Sequence, residues 1–92
     1  MIRRRLVVTG RVQNVFYRDW FVGEARSLGL DGWVRNRADG SVEAVVEGAA
    51  EMVEAMIAKA AEGSPAARVA DVAVSEETSV EPLRGFEKRP TR

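Results

Sequence analysis

The order of hydrophobic periodicities along the 92 residues restricts the fold more than any other feature of this sequence. Two segments, 17–28 and 50–62, repeat their apolar residues with the spacing of an α-helix. Shorter segments, most of them β-branched or alternating, are predicted as strands at 5–9, 32–36, 41–47, 68–75 and 86–89. The Asp39-Gly40 pair is a strong hairpin signal, so the strands on either side of it are expected to pair antiparallel.

The resulting order is β-α-β-β-α-β followed by a short last strand, which predicts an α+β fold of the ferredoxin-like, or split βαβ, type. Each predicted helix has one apolar stripe, so we expect a two-layer sandwich in which an antiparallel sheet carries both helices on one face. We expect residues 1–92 to form a single domain. Trp33 is the predicted core anchor of its strand, with Arg35 facing the other way, and Met52 and Met56 are predicted to pack in the core.

The chain contains no His and no Cys. These absences exclude His-dependent acid–base catalysis, Cys nucleophiles, disulfide scaffolds and thiolate metal sites. No apolar run approaches the ~20 residues of a membrane span, and the N-terminus lacks the pattern of a signal peptide. We therefore expect a cytoplasmic protein with no membrane partner.

The 14 basic and 14 acidic residues are unevenly distributed. Residues 1–37 contain eight arginines and three acidic residues, so this basic stretch is where an anionic ligand is expected to bind. Within it, Arg3 to Arg5 are predicted to be a solvated terminus beside the first strand. Glu43 and Glu47 are predicted to lie on an exposed strand face.

The connection from the first strand into the first helix, Gly10 to Arg18, is the segment with the clearest chemistry. A loop that curls at a helix start presents backbone N–H groups without intrahelical partners, at the positive end of the helix dipole, and such a site binds phosphate. Arg18 is unfavourable at that end unless an anion binds there, and its guanidinium can hold two phosphate oxygens.

The side chains around this loop are predicted to have structural roles. Those of Arg11 and Gln13 are expected to be solvated, with only their backbone contributing to the loop. Core or loop packing is expected for Val15, Phe16 and Trp20.

Two motifs carry a resemblance to a known family. GRVQNVFYR at 10–18 and LGLDGWVRN at 28–36, followed by DGSVE at 39–43 and a closing GFE at 85–87, resemble the acylphosphatase family over nearly the whole chain. The resemblance implies a five-stranded ferredoxin-type sheet and hydrolysis of the carboxyl–phosphate bond of a small acyl phosphate, giving a carboxylate and inorganic phosphate. It implies no metal and no covalent intermediate. We expect no cofactor, and because nothing in the sequence suggests an obligate partner, we expect a monomer.

The resemblance also assigns site residues. Arg18 and the loop amides are expected to hold the phosphoryl group, and Asn36 is expected to position the attacking water. The predicted phosphate-binding loop comprises Gln13, Asn14, Val15, Phe16, Tyr17 and Arg18. Tyr17 stands where the family often has Phe, so it is interpreted as a packing variant whose hydroxyl needs a partner.

Asn14 departs from the family pattern, which usually has Gly at this place. A Gly there indicates either a left-handed backbone or a close approach to the ligand, and Asn tolerates the left-handed backbone better than most residues. The substitution leaves open a weakened or repurposed anion-binding domain, or a small-molecule regulatory module of the same fold. RNA-binding domains share the element order, but the third strand here has two acidic residues and no aromatic residue, which argues against nucleic acid.

Overall fold

The computed structural model describes residues 1–92 and contains all seven predicted elements. The strands are β1 (Ile2–Arg11), β2 (Asp31–Asn36), β3 (Val42–Gly48), β4 (Arg68–Glu76) and β5 (Phe86–Lys88), and the helices are α1 (Tyr17–Ser27) and α2 (Ala50–Glu62). The bounds of α2 are those predicted. β1 is longer than predicted at both ends, because its basic first residues pair with β3 up to Ile2 opposite Gly48.

The five strands form one sheet in the order β4-β1-β3-β2-β5. Neighbours among β1 to β4 are antiparallel, as predicted. β5 pairs parallel with β2, so the sheet as a whole is mixed. After β4 the chain crosses from one edge of the sheet to the other and reverses direction, which brings the last strand alongside β2. The predicted fold class, a ferredoxin-like sheet with two helices, is confirmed.

The core lies between the sheet and the helices and contains 15 buried side chains. The helices bury Tyr17, Phe21 and Ala25 from α1, and Val53, Met56 and Ala60 from α2. The prediction was right for Met56 and wrong for Met52, which is 37% exposed. Met52 lies at the edge of the buried stripe, about 100° around the helix from Val53. Neither helix has the length and apolar content that crossing a membrane would need.

Trp33 is buried on the face of the sheet opposite the helices, so its prediction as a core anchor was wrong. The next residue, Val34, is in the core, and alternate residues of a strand point to opposite faces. Trp33 and Arg35 therefore share a face. The guanidinium groups of Arg35 and Arg89 lie 4.5 Å and 4.9 Å from the Trp33 ring centroid, where each makes a cation–π contact.

The same open face carries a network of ion pairs. Glu43 is only 5% exposed and accepts hydrogen bonds from Nε of Arg5 at 2.6 Å and Nε of Arg35 at 2.8 Å. Arg3 donates to Glu47 at 2.7 Å. The predictions of solvated arginines at the N-terminus and of exposed acidic residues on β3 were therefore wrong for these pairs. Three neighbouring strands bring opposite charges side by side, and long side chains then cover one another.

The pKa of Glu43 reflects this environment. Burial acts to raise it, but the hydrogen bonds and positive charges of Arg35 and Arg5 outweigh burial and hold the pKa below its ordinary value of 4.5. A carboxyl whose pKa is lowered by folding stabilises the fold above its unfolded pKa. That stabilisation is lost as the pH falls through the folded pKa.

We expect Glu43→Gln to lower the free energy of unfolding by about 1–3 kcal/mol at pH 7, because it removes the charge that two arginines share. The difference from the parent should shrink below pH 4.5, as Glu43 itself becomes protonated. Urea denaturation of both chains at pH 7 and pH 3 measures this. Glu47→Gln, which loses one partner at a more exposed position, is the matched control and should cost less. An equal deficit at both pH values would contradict the prediction.

Candidate functional site

The loop that leads into α1 begins with a backbone irregularity. The pairing of β1 with β4 shifts register between Thr9 and Gly10. Gly10 has a φ of 118°, and a Cβ there would lie 2.2 Å from the carbonyl oxygen of Arg68. Only glycine fits this close approach, and the chain then turns away from the sheet toward the start of α1.

Along the next residues the backbone φ alternates between positive and negative values. Asn14 and Phe16 have φ values of 60° and 58°, whereas Val15 between them does not have a positive φ. Such alternation turns successive N–H groups toward one concavity, which is a common anion-binding arrangement. No hydrogen bond within the chain has a backbone N–H of residues 12–19 as its donor. A run of unpaired amides therefore lies at the positive end of α1.

These amides border a cavity of about 430 Å³ at the start of α1. It is lined by Val12, Asn14, Phe16, Tyr17, Arg18, Asp19 and Lys88. Arg18 is half-buried and forms neither an ion pair nor a side-chain hydrogen bond within the chain. Its guanidinium is thus a positive charge with open donors beside the unpaired amides. The arrangement can bind a compact, doubly charged anion such as a phosphoryl group.

Asn36 is the last residue of β2 and faces the helices, because it pairs with Val42 of the core. It does not line the cavity itself. Lys88 does line the cavity, and it pairs with Val34 of β2. Asn36 is the next residue of β2 on the same face as Val34, about 6.6 Å further along the strand. The side-chain Oδ1 of Asn36 is buried and has no hydrogen-bond partner.

Gln13 connects the loop to the end of β2. Its Nε2 donates to the carbonyl oxygens of Arg37, at 2.8 Å, and Ser41, at 2.9 Å. The prediction that this side chain is solvated was therefore wrong, whereas Arg11 is exposed as expected. Because Arg37 follows Asn36 directly, the Gln13 amide fixes the loop against the turn that begins after Asn36.

Known proteins resemble this chain over nearly its whole length. A sequence model described as acylphosphatase matches residues 4–88. The chain belongs to the acylphosphatase family. An acylphosphatase of Rhizorhabdus wittichii is 56% identical over 90 residues, covering 98% of this chain and 90% of that protein. One of Acidiphilium cryptum is 50% identical and covers 99% of both chains.

A crystal structure of the acylphosphatase from Bacillus subtilis superimposes with a TM-score of 0.91 at 37% identity, covering 97% of this chain and 99% of that one. The resemblance drawn from the two motifs is thereby confirmed, as is the enzyme class that it implies.

The loop residues of this family member divide by what their side chains do. Tyr17 is buried and donates its hydroxyl to the carbonyl oxygen of Ala60 at 2.8 Å, which supplies the expected partner. Burial raises the pKa of this hydroxyl well above its ordinary value, so it stays protonated. Val15 packs against the core as expected. Phe16 does not, because its side chain is 82% exposed at the cavity rim.

Trp20 packs against the core as predicted, and its ring centroid lies 5.3 Å from that of Tyr17. Tyr17 thus anchors the first turn of α1 to both α2 and the core. This anchor fixes the position from which the next residue, Arg18, extends into the cavity.

Of the cavity residues outside the predicted loop, Val12, Asp19 and Lys88, the last two are charged and were not predicted from the sequence. Lys88 Nζ lies 2.8 Å from Asp19 Oδ1. The hydrogen bond from Lys88, and then its positive charge, hold the pKa of Asp19 below its ordinary value. No local signal could have shown this pair, because the two residues are 69 positions apart and meet only through the parallel pairing of β5.

The acidic side chains of this acylphosphatase-family chain form no group of three that could hold a metal ion. Of the predicted loop, the cavity brings together Asn14, Phe16, Tyr17 and Arg18, and Val12 lines it as well. Gln13 and Val15 hold the loop in place without lining the cavity, and Asn36 does not line the cavity either.

Proposed function

We propose that the phosphoryl group of an acyl phosphate binds in the cavity at the start of α1, held by the amides of residues 14–18 and the guanidinium of Arg18. The observation that carries this proposal is the coincidence of unpaired amides with a half-buried arginine that forms no ion pair. Backbone amides and a guanidinium together match the oxygens of a phosphoryl group in charge and geometry.

Hydrolysis of this substrate needs charge stabilisation more than a strong base. The carboxylate is a good leaving group, so the transition state is loose and its charge is spread over the phosphoryl oxygens. Donors that already point into the cavity stabilise that charge without reorganising. The oxygen of water forms a bond to phosphorus while the bond from phosphorus to the carboxylate oxygen breaks. The carboxylate departs with the electron pair, and the protons of water pass to phosphate and solvent.

Asn36 is proposed to orient the attacking water. Its buried Oδ1 without a partner is an acceptor for one water proton, and such an atom costs stability unless something binds to it. A water held there approaches the phosphoryl group from the end of β2, where Gln13 holds the loop. Alignment of this kind lowers the barrier by removing the entropy cost of bringing the water into line.

Within this proposal the protein acts as a monomer in the cytoplasm, with residues 1–92 as a single catalytic domain that needs no metal and no nucleic acid. The arginines of the open sheet face pair internally with Glu43 and Glu47, which supports the monomer. Light scattering measures the oligomeric state, and cell fractionation measures the location.

We expect the purified chain to hydrolyse benzoyl phosphate at an undiminished rate in the presence of a chelator. Release of inorganic phosphate, followed with and without EDTA, measures this. Loss of activity in EDTA that added Mg²⁺ restores would contradict a site built from amides, Arg18 and Asn36 alone. Absence of turnover combined with binding of inorganic phosphate would favour the second candidate, an anion-binding module without hydrolase activity.

Asn14 is the observation that makes the second candidate concrete, because its side chain lines the cavity at a left-handed backbone position. The cost of this conformation is about 1 kcal/mol lower for glycine than for Asn, and glycine leaves the cavity wider. Faster hydrolysis by Asn14→Gly would show that the side chain hinders catalysis. Equal rates would show that the loop tolerates it.

A further inference from the structure

Asp19 occupies a position from which a carboxylate could compete with the substrate. Phe16 is the N-cap of α1, so Asp19 is the third residue of the helix. An acidic side chain at this position commonly reaches back to the backbone N–H of the N-cap residue. Here α1 has no side-chain cap, and the N–H of Phe16 stays unpaired.

Lys88 accounts for this. Its Nζ holds Asp19 Oδ1 at 2.8 Å, and both side chains line the cavity. Lys88 belongs to β5, whose parallel pairing with β2 brings it over the first turn of α1. The ion pair directs the Asp19 carboxylate toward the sheet edge and balances its charge beside a site that binds anions.

We propose that Lys88 is a positioning residue of the phosphate site: it holds the Asp19 carboxylate away from the loop amides, so that these amides remain available to the phosphoryl group. The inference rests on the proposed function of the cavity. It assigns to Lys88 an effect on anion binding and none on the chemical step.

The consequences follow from removing each partner. In Lys88→Met the Asp19 carboxylate is free to accept from the amides at the start of α1 and repels an incoming anion. We expect the dissociation constant of inorganic phosphate and the KM for benzoyl phosphate to rise about three- to tenfold, the range of an N-capping interaction. The kcat should stay within about twofold, since saturating substrate displaces the carboxylate.

The decisive comparison uses four chains: the parent, Lys88→Met, Asp19→Asn and the double variant. Calorimetric titration with inorganic phosphate and initial rates with benzoyl phosphate measure binding and turnover. Asp19→Asn should bind phosphate at least as tightly as the parent, and the double variant should recover the affinity that Lys88→Met loses. Lys59→Met, which removes the ion pair of α1 with α2 through Glu24, is the matched control and should leave both constants unchanged.

Two outcomes would overturn the proposal. A double variant as weak as Lys88→Met would mean that Lys88 contacts the anion itself, and an unchanged Lys88→Met would mean that Asp19 does not compete. Failure of the proposed function is seen separately, as absence of turnover in the parent. The phosphate titrations test the role of Lys88 even in that case.

Discussion

Arg18→Ala should lose at least about 10³-fold in kcat/KM for benzoyl phosphate, the largest effect expected of any single substitution in this chain. Arg18 is the positively charged side chain of the cavity that forms no ion pair, whereas Lys88 is paired with Asp19. The loss should appear in both kcat and KM, because the guanidinium holds the phosphoryl oxygens in the ground state and more strongly in the transition state. Initial rates over a range of substrate concentrations separate the two constants.

Two further variants identify what Arg18 supplies. Arg18→Lys keeps the charge and removes the planar fork, so it should recover part of KM and little of kcat. Arg84→Ala is the matched control and should leave activity unchanged, because it removes an exposed arginine far from the cavity. Its neighbour Gly85 accepts a hydrogen bond from the N–H of Gly32, at the opposite end of β2 from Asn36. Equal rates for Arg18→Ala and the parent would remove the basis for the proposed site.

The elements of the fold could be predicted from the sequence because their signals are local. The apolar stripe of α2 and the Gly63 that ends it lie within or next to the helix, and the bounds were predicted without error. The Asp39-Gly40 turn likewise precedes β3 directly. Such signals act over one or two turns of chain, which is the range that a single sequence displays.

The environment of each strand residue was harder to predict, because it depends on which strands become neighbours. Glu43 is buried by arginines from β1 and β2, and Trp33 is covered by Arg35 and by Arg89 beyond β5. Hydrophobicity alone places Trp33 in the core and Glu43 in solvent. The register of three paired strands decides otherwise, and no stretch of sequence states that register.

The candidate site shows the same division. A left-handed backbone at Asn14 was one of the two alternatives that the glycine usual in the family indicated, and the structure shows it. The contacts that fix the loop were not, because Gln13 finds its acceptors 24 and 28 residues away. The exposed Phe16 at a left-handed φ was also missed, since its size indicates packing and only the loop geometry turns it outward.

Asn36→Ala should lower kcat about 10²-fold while KM changes little, the second largest effect expected. The reason lies in what the side chain does not do within the fold. Its Oδ1 is buried without a partner, so it contributes no hydrogen bond that alanine would remove from the folded protein. An acceptor in that state costs stability, and it is free to accept a hydrogen bond from water during the reaction.

Stability therefore separates a catalytic role from a structural one. If Asn36 serves the fold, Asn36→Ala should unfold at lower urea concentration and lose activity in proportion. If it orients water, the variant should be as stable as the parent or more stable by about 1 kcal/mol, because a buried unsatisfied acceptor is gone. Urea denaturation beside the kinetics measures both.

Ser64→Ala, which removes the other buried unpartnered oxygen of the chain, is the matched control: it should show the same change in stability with no loss of turnover. A large rise in KM for Asn36→Ala with kcat intact would instead place Asn36 among the groups that bind the phosphoryl oxygens.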